Sequence, residues 1–155
     1  MKKTIMGIVF GFALGLVFAG VFLPKLMVKE KLSPMGYEET IAYIQNNVTN
    51  AGWKVSALMR LDKTLAKEGM DVLPVASFKI CQPDHAEQIL LDDDARFISV
   101  MMPCSIAVYE KADGKTYIST MDARLLGRMF GGTVAEVMAG PVSYTHLTLP
   151  TIYSV

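Results

Sequence analysis

The chain has 155 residues, and its 15 lysines and arginines balance its 15 aspartates and glutamates, so its formal net charge is zero. No run of basic residues interleaves with aromatics, which excludes the electrostatic footprint of nucleic-acid binding, and no nucleic-acid partner is expected. Two cysteines are too few for a disulfide scaffold, although they suffice for one bridge in an oxidising compartment.

The N-terminal segment, residues 1–24, is predicted to be a signal anchor. Its apolar run from Ile5 to Leu23 contains 19 residues without a polar side chain. A helix rising ~1.5 Å per residue would then cross the ~30 Å hydrocarbon core. A cleaved signal peptide is the alternative, but no polar cleavage region follows the run. A short N-terminal tail usually stays in the cytoplasm, which predicts a bacterial inner-membrane protein whose domain faces the periplasm.

Three glycines in this segment favour pairing of two copies. Gly7, Gly11 and Gly15 stand four residues apart, on one face of the predicted helix. Small residues at this spacing let two helices approach closely, so the run is a candidate for homo-oligomer formation within the membrane. The alternative is that glycine is simply common in membrane helices.

The rest of the chain divides into three parts. Residues 25–35 are polar and proline-bounded, and we interpret them as a tether to a domain at residues 36–140. Residues 142–151, VSYTHLTLPT, match the in-frame translation of a transposon-type sequencing adapter. Residues 141–155 are therefore interpreted as a sequencing artefact and carry no functional argument.

Alternating apolar and polar residues predict four strands in the domain. They are Trp53 to Arg60 with a break at Leu58, Ala76 to Cys81, Ser105 to Glu110, and Lys115 to Met121. Ala112-Asp113-Gly114 separates the last two as a hairpin turn. Residues 96–102 also have an extended pattern, which Pro103 interrupts.

Apolar residues at helical spacing predict helices around these strands. The helices begin at Tyr37, Asp62, Pro83 and Asp122, with a restart at a Thr133–Glu136 capping box. Among the side chains expected to face inward are Leu90, Met129 and Phe130. The predicted fold class is α+β, a mainly antiparallel sheet with packed helices, behind one N-terminal transmembrane helix.

Short motifs give the domain a resemblance to a known bacterial family. They are Gly52-Trp53, Ile80-Cys81-Gln82-Pro83, Met101-Met102-Pro103-Cys104, and Val108-Tyr109-Glu110 with Asp113-Gly114. Over Gly36 to about Ala139 the chain resembles the family catalogued as domain of unknown function 302. The resemblance implies a β-α-β4-α fold and no particular reaction. The first strand of that fold is not evident in the sequence, where the tether takes its place.

The two cysteines are the main candidates for chemistry. Cys81 closes one predicted strand and Cys104 opens another, so antiparallel pairing would bring them together. With Met101, Met102 and His85 they form a candidate thiol or soft-metal site, for copper or zinc. The alternatives are a structural disulfide and two thiols that only pack in the core.

Tyr109 and Glu110 face opposite sides of a predicted strand, and either is a candidate for the lining of a cleft. The alternatives are a core position and a rim position. The expected function is a non-catalytic ligand-binding or metal-binding module held at the membrane. The alternative is a thiol-dependent or metal-dependent redox enzyme that uses Cys81 and Cys104. The sequence contains no motif that decides between them, and whether the protein is an enzyme is left open.

Overall fold

Five strands form one antiparallel sheet in the computed structural model, which describes residues 26–139 together with Gly11, Gly15 and Gly20. The strands are β1 (Val28–Leu32), β2 (Lys54–Arg60), β3 (Val75–Cys81), β4 (Cys104–Glu110) and β5 (Thr116–Met121). Their spatial order is β1-β5-β4-β3-β2, and every neighbouring pair is antiparallel. The predicted α+β class is confirmed.

Helices pack against one face of this sheet. They are α1 (Tyr37–Asn50), α2 (Leu61–Lys67), α3 (Pro83–Leu91), α4 (Ala123–Phe130) and α5 (Gly132–Ala139), and a 3-10 helix covers Arg96–Met101. Ile44 and Val48 of α1 are fully buried, as their helical spacing predicts. Gly52 follows the end of α1 and has a φ of 78°, a conformation that glycine adopts without strain.

The core lies between this face and the helices. Ala76, Phe78 and Ile80 alternate along β3 and are fully buried, as the strand pattern predicts. Phe78 pairs with Ile106 of β4, so both side chains point to the same face. Along β2 the irregularity falls between Val55 and Ala57, at Ser56, two residues before the predicted break at Leu58.

The segment predicted to be a tether contains strand β1, which is a correction. β1 pairs with β5 along all of its length. Lys29 binds the Asp122 carboxylate at 2.6 Å, and Glu30 accepts hydrogen bonds from Tyr109 and Lys111. All five β1 residues are exposed. An edge strand with neither face buried has no apolar alternation, so hydrophobic periodicity could not reveal it.

Residues 96–102 were expected to be extended, and this prediction is wrong. The backbone N–H groups of Ile98 and Met102 donate to carbonyls three residues before them, at 3.1 and 3.0 Å. Ile98 is buried and Met101 packs against the core, whereas Val100 is 87% exposed. The inward residues therefore recur every third position, which is the period of a 3-10 helix.

Three side chains predicted to face inward do not. Leu90, Met129 and Phe130 are 40%, 53% and 42% exposed. In α3 the preceding residue, Ile89, was also predicted to face inward, and it is buried. Phe130 packs edge to face against Phe97, with 5.7 Å between the ring centroids, at the surface where α4 ends.

Three helix caps were predicted, at Asp62, at Asp122 and at the Thr133–Glu136 capping box, and the structure confirms one of them. The Asp122 side chain accepts the Leu125 N–H at 3.1 Å and caps α4. Asp62 lies inside the first turn of α2 and makes no cap. The Thr133 hydroxyl donates to Asp92 at 2.5 Å, across to the end of α3, instead of capping the helix that restarts at Gly132.

Within residues 26–139 and the three described glycines, no helix is long and apolar enough to cross a membrane. Gly11 and Gly15 are helical and exposed. The predicted anchor as a whole, Gly7 in particular, and the tail at residues 141–155 lie outside the part of the chain that the structure describes.

Candidate functional site

One end of the sheet brings the predicted cysteines together with Trp53. Cys104, the first residue of β4, pairs with Ile80 near the end of β3. Lys54, which follows Trp53 at the start of β2, pairs with Cys81. The antiparallel register therefore places the start of β2, the end of β3 and the start of β4 side by side.

A pocket with a volume of about 50 Å³ lies at this end of the sheet. The sheet end contributes Trp53, Cys81 and Cys104, and α3 contributes His85. The remaining lining residues are Ile80, Gln82, Ala86, Ile89, Met102, Pro103, Val137 and Met138. The wall is almost wholly apolar, which is the usual character of a small-molecule site.

Four of the five residues predicted to form a thiol or metal site line this pocket. They are Cys81, Cys104, Met102 and His85. Met101 does not line it, because the 3-10 helix turns that side chain onto the core. The structure therefore assembles most of the predicted constellation, although the cysteines are not equivalent.

Strand alternation directs the two cysteine side chains to opposite faces at the end of the sheet, where both residues line the pocket. Cys104 is paired with Ile80 and shares its buried face, so Cys81, the next residue along β3, projects to the opposite face. Strand spacings place their Cα atoms about 6 Å apart, but a disulfide also needs the Cβ vectors to converge. Both residues are among those described, and neither forms a disulfide. Residues 26–139 contain no group of three or more His, Cys, Asp or Glu side chains positioned to hold a metal ion.

His85 provides a polar atom that the protein itself does not use. It stands in the first turn of α3, after Pro83. Its Nδ1 is buried and makes no hydrogen bond. A buried polar atom without a partner costs about 1–3 kcal/mol. Because Nδ1 is buried and the pocket wall is almost wholly apolar, the imidazole lines the pocket through its apolar part.

Tyr109 and Glu110 do not line this pocket. The Tyr109 hydroxyl donates to Glu30 of β1, and its ring stacks on Tyr117 with centroids 6.1 Å apart. Burial first, and then the hydrogen bond to the Glu30 carboxylate, raise the pKa of Tyr109 to about 12. The Glu110 N–H donates to the Pro74 carbonyl at 2.9 Å. Tyr109 thus holds the edge strand to the sheet.

A family comparison agrees with the fold. The family described as "Domain of unknown function DUF302" matches residues 29–143. The chain belongs to the DUF302 family. The match begins inside β1 and includes residues 29–35 of the segment predicted to be a tether.

A solved DUF302 structure shows the same fold. The crystal structure of an uncharacterized conserved DUF302 protein from Bacillus stearothermophilus superposes with a TM-score of 0.65 at 22% sequence identity. The alignment covers 74% of this chain and 88% of that chain. No curated protein matches this chain. At this identity the likeness concerns the fold alone.

Three of the motifs that carry the DUF302 resemblance converge on the pocket. Gly52-Trp53, the Ile80–Pro83 motif and the Met101–Cys104 motif each supply lining residues. Sequence reasoning missed Trp53 as a site residue, although its position before a strand that pairs with β3 was a usable signal. Val137 and Met138 had no local signal, since they reach the pocket only because α5 folds back along α4.

Gly127 allows α5 to fold back along α4. A Cβ at this position would lie 2.8 Å from Met138 Cβ and 3.3 Å from Ala135 Cα. The two helices thus touch where α4 has no side chain, and α5 brings its last turn over the pocket.

Proposed function

We propose that this DUF302 chain is a membrane-anchored, non-catalytic binding module whose periplasmic domain holds a small apolar group in the pocket. The observation that carries the proposal is the convergence of three separate motifs on one almost wholly apolar pocket, which His85 also lines. The anchor and the periplasmic side are supported by the apolar run Ile5 to Leu23 and the short basic tail before it.

The size of the pocket limits the ligand. A volume of about 50 Å³ exceeds the ~10–15 Å³ that one water needs, but is well below the ~300–1,000 Å³ of sites for drug-sized molecules. The pocket therefore admits a small molecule or one end of a longer one. Met102 and Met138 form part of the wall, and methionine side chains adjust readily to a ligand.

The chemistry of the wall defines the class of ligand. Apolar side chains favour a hydrocarbon body, and the wall offers almost no polar surface to a charged group. Among the described residues that line the pocket there is no Asp, Glu, Lys or Arg. Binding, and not catalysis, is the function that this geometry supports best.

Trp53 provides the test, because it is the only tryptophan in the chain and lines the pocket. We would titrate the full chain in lipid nanodiscs with primary alcohols of increasing length. A fitting alcohol should change Trp53 emission saturably. At ten times its Kd it should add about 1.4 kcal/mol of stability, which raises Tm by several degrees.

A matched pair of variants tests whether the effect belongs to the pocket. Ala86→Leu places a larger side chain in the pocket wall and should abolish both responses. Ala66→Leu makes the same change on exposed helix α2 and should preserve them. Equal responses in wild type and Ala86→Leu would show that the alcohols bind elsewhere and would refute the proposed site.

A soft metal is the second candidate, favoured by one observation. Cys104, Met102 and His85, whose side chains carry two sulfurs and an imidazole, line the same pocket. This donor set suits copper(I), and less well zinc. If the metal is the ligand, copper(I) should bind stoichiometrically in equilibrium dialysis. Cys104→Ser should lose it, whereas Ala66→Leu, on the exposed helix α2, should retain it.

The redox-enzyme alternative has less support. A dithiol enzyme would cycle Cys81 and Cys104 through a disulfide, which requires the two sulfurs to meet. Strand alternation directs them to opposite faces of the sheet.

A further inference from the structure

The chain enters the domain at the end of the sheet where the pocket lies. Val28, the first residue of β1, pairs with Met121, the last residue of β5. Thr120, the residue before Met121, pairs with Ile106, which lies two residues after Cys104 in β4. The ladder therefore aligns the start of β1 with the strand ends that form the pocket.

Very little chain separates this entry point from the apolar N-terminal run. The run ends at Leu23, and the Met27 carbonyl is already fixed to the sheet, since it accepts the Asp122 N–H at 2.8 Å. Four residues of extended chain reach at most about 14 Å. The opposite end of the seven-residue strand β4 lies about 23 Å farther along the sheet. The chain thus holds the pocket end close to wherever the apolar run resides.

Exposed apolar side chains occur at this end. Leu26 and Val28 at the entry are 59% and 50% exposed. Val100, in the 3-10 helix that leads into Met102 and Cys104, is 87% exposed. Side chains of this kind are favourable at the boundary of headgroups and acyl chains and unfavourable in water.

We propose that the pocket end of the domain lies against the bilayer and that the pocket takes the hydrocarbon chain of a membrane-dissolved molecule. This inference rests on the proposed binding function and specifies its ligand class. An apolar pocket too small for a whole lipid accepts the slender end of such a chain, while the remainder stays in the membrane. A ligand of this class reaches the pocket without crossing bulk water.

Lipid-borne quenchers test the orientation. The full chain is reconstituted in phosphatidylcholine vesicles that contain doxyl-labelled phosphatidylcholine, and Trp53 emission is recorded. The control is the double variant Trp53→Phe/Lys115→Trp, which moves the only tryptophan to the β4–β5 turn at the opposite end of the sheet. Trp53 should be quenched severalfold more strongly than the relocated tryptophan.

Each result decides the orientation. Equal or stronger quenching of the relocated tryptophan overturns the proposal. The unmodified protein provides a measurement that does not depend on the folding of the variant, since absence of any quenching of Trp53 by the lipid label also overturns it.

A second arm tests the ligand class. Palmitic acid with a terminal diazirine is added to the vesicles and photolysed. It should label wild type and the Ala66→Leu control, and Ala86→Leu should lose most of the label. If soluble alcohols bind the pocket but the acyl probe does not, the membrane-derived ligand is refuted while the binding function stands. If neither binds, both proposals fail.

Discussion

Cys104 lies directly opposite Ile80 in the ladder between β3 and β4, one position from Cys81. Residues paired in this way point to the same face of a sheet, and the next residue points to the other. The two cysteines are therefore close along the backbone, and strand alternation directs their side chains to opposite faces. This alternation disfavours a disulfide, although both residues line the pocket.

We expect no disulfide between Cys81 and Cys104 under oxidising conditions, because closure would require the end of β3 to twist. After treatment with diamide, denaturation and alkylation, mass spectrometry should find an adduct on both cysteines. Cys81→Ser is the control and should carry a single adduct. Protection of both thiols until a reductant is added would contradict the alternation of faces.

Gly127→Ala should destabilise the domain by about 1–3 kcal/mol, the usual cost of overpacking. The new methyl group would meet Met138 Cβ at 2.8 Å and push α5 away from α4. Urea unfolding measures the change, and Arg128→Ala, exposed on the same helix, should stay within about 0.5 kcal/mol of wild type. Because Met138 lines the pocket, Gly127→Ala should also weaken any ligand bound there. Wild-type stability in this variant would show that α5 is not held by the close contact.

Asp122 should make stability depend on pH in the acid range. Its hydrogen bond to Lys29, and then those to backbone N–H groups, lower the pKa of the carboxyl below 3.8. A lowered pKa in the folded state gives stability that is present above the unfolded pKa and lost as pH falls through the folded one.

Asp122→Asn tests this, since it removes the charge and leaves an oxygen that can cap α4. It should cost about 1 kcal/mol at pH 7, and the difference from wild type should shrink as pH falls below the unfolded pKa. Urea unfolding at neutral and acid pH measures it, with Asp71→Asn, an exposed site, as the control. A difference that stays constant with pH would exclude the charge as its cause.

Tyr109 should ionise at about 12, because burial and the Glu30 carboxylate both disfavour its phenolate. A raised pKa means that this residue contributes stability below its unfolded pKa near 10 and loses it as pH rises through about 12. The difference between phenolate absorbance titrations of wild type and Tyr109→Phe isolates the residue.

Glu30→Gln should lower the pKa of Tyr109, since it removes the charged acceptor on β1. If the difference between the wild-type and Tyr109→Phe titrations gives a pKa near 10, Tyr109 does not hold β1 to the sheet.

Local patterns predicted most of the fold. The alternation of Ala76, Phe78 and Ile80, the helical spacing from Tyr37 to Val48 and the Asp122 cap each depend on neighbours within a few residues. Such features depend on the periodicity of nearby side chains, so they can be predicted without knowledge of distant contacts. The residue types of Cys104, Met102 and His85 likewise indicated a candidate site.

The sequence by itself therefore determined the α+β class, the core strands and most residues of the candidate site. Only the tertiary structure decided that β1 belongs to the sheet. This edge strand is exposed on both faces and has no apolar alternation, so only its pairing with β5 identifies it. Only the register between β3 and β4 decided that Cys104 faces the core and Cys81 does not. The pocket itself depends on Trp53, His85 and Met138, which are far apart in the chain. Contacts between such residues arise from packing and leave no local pattern.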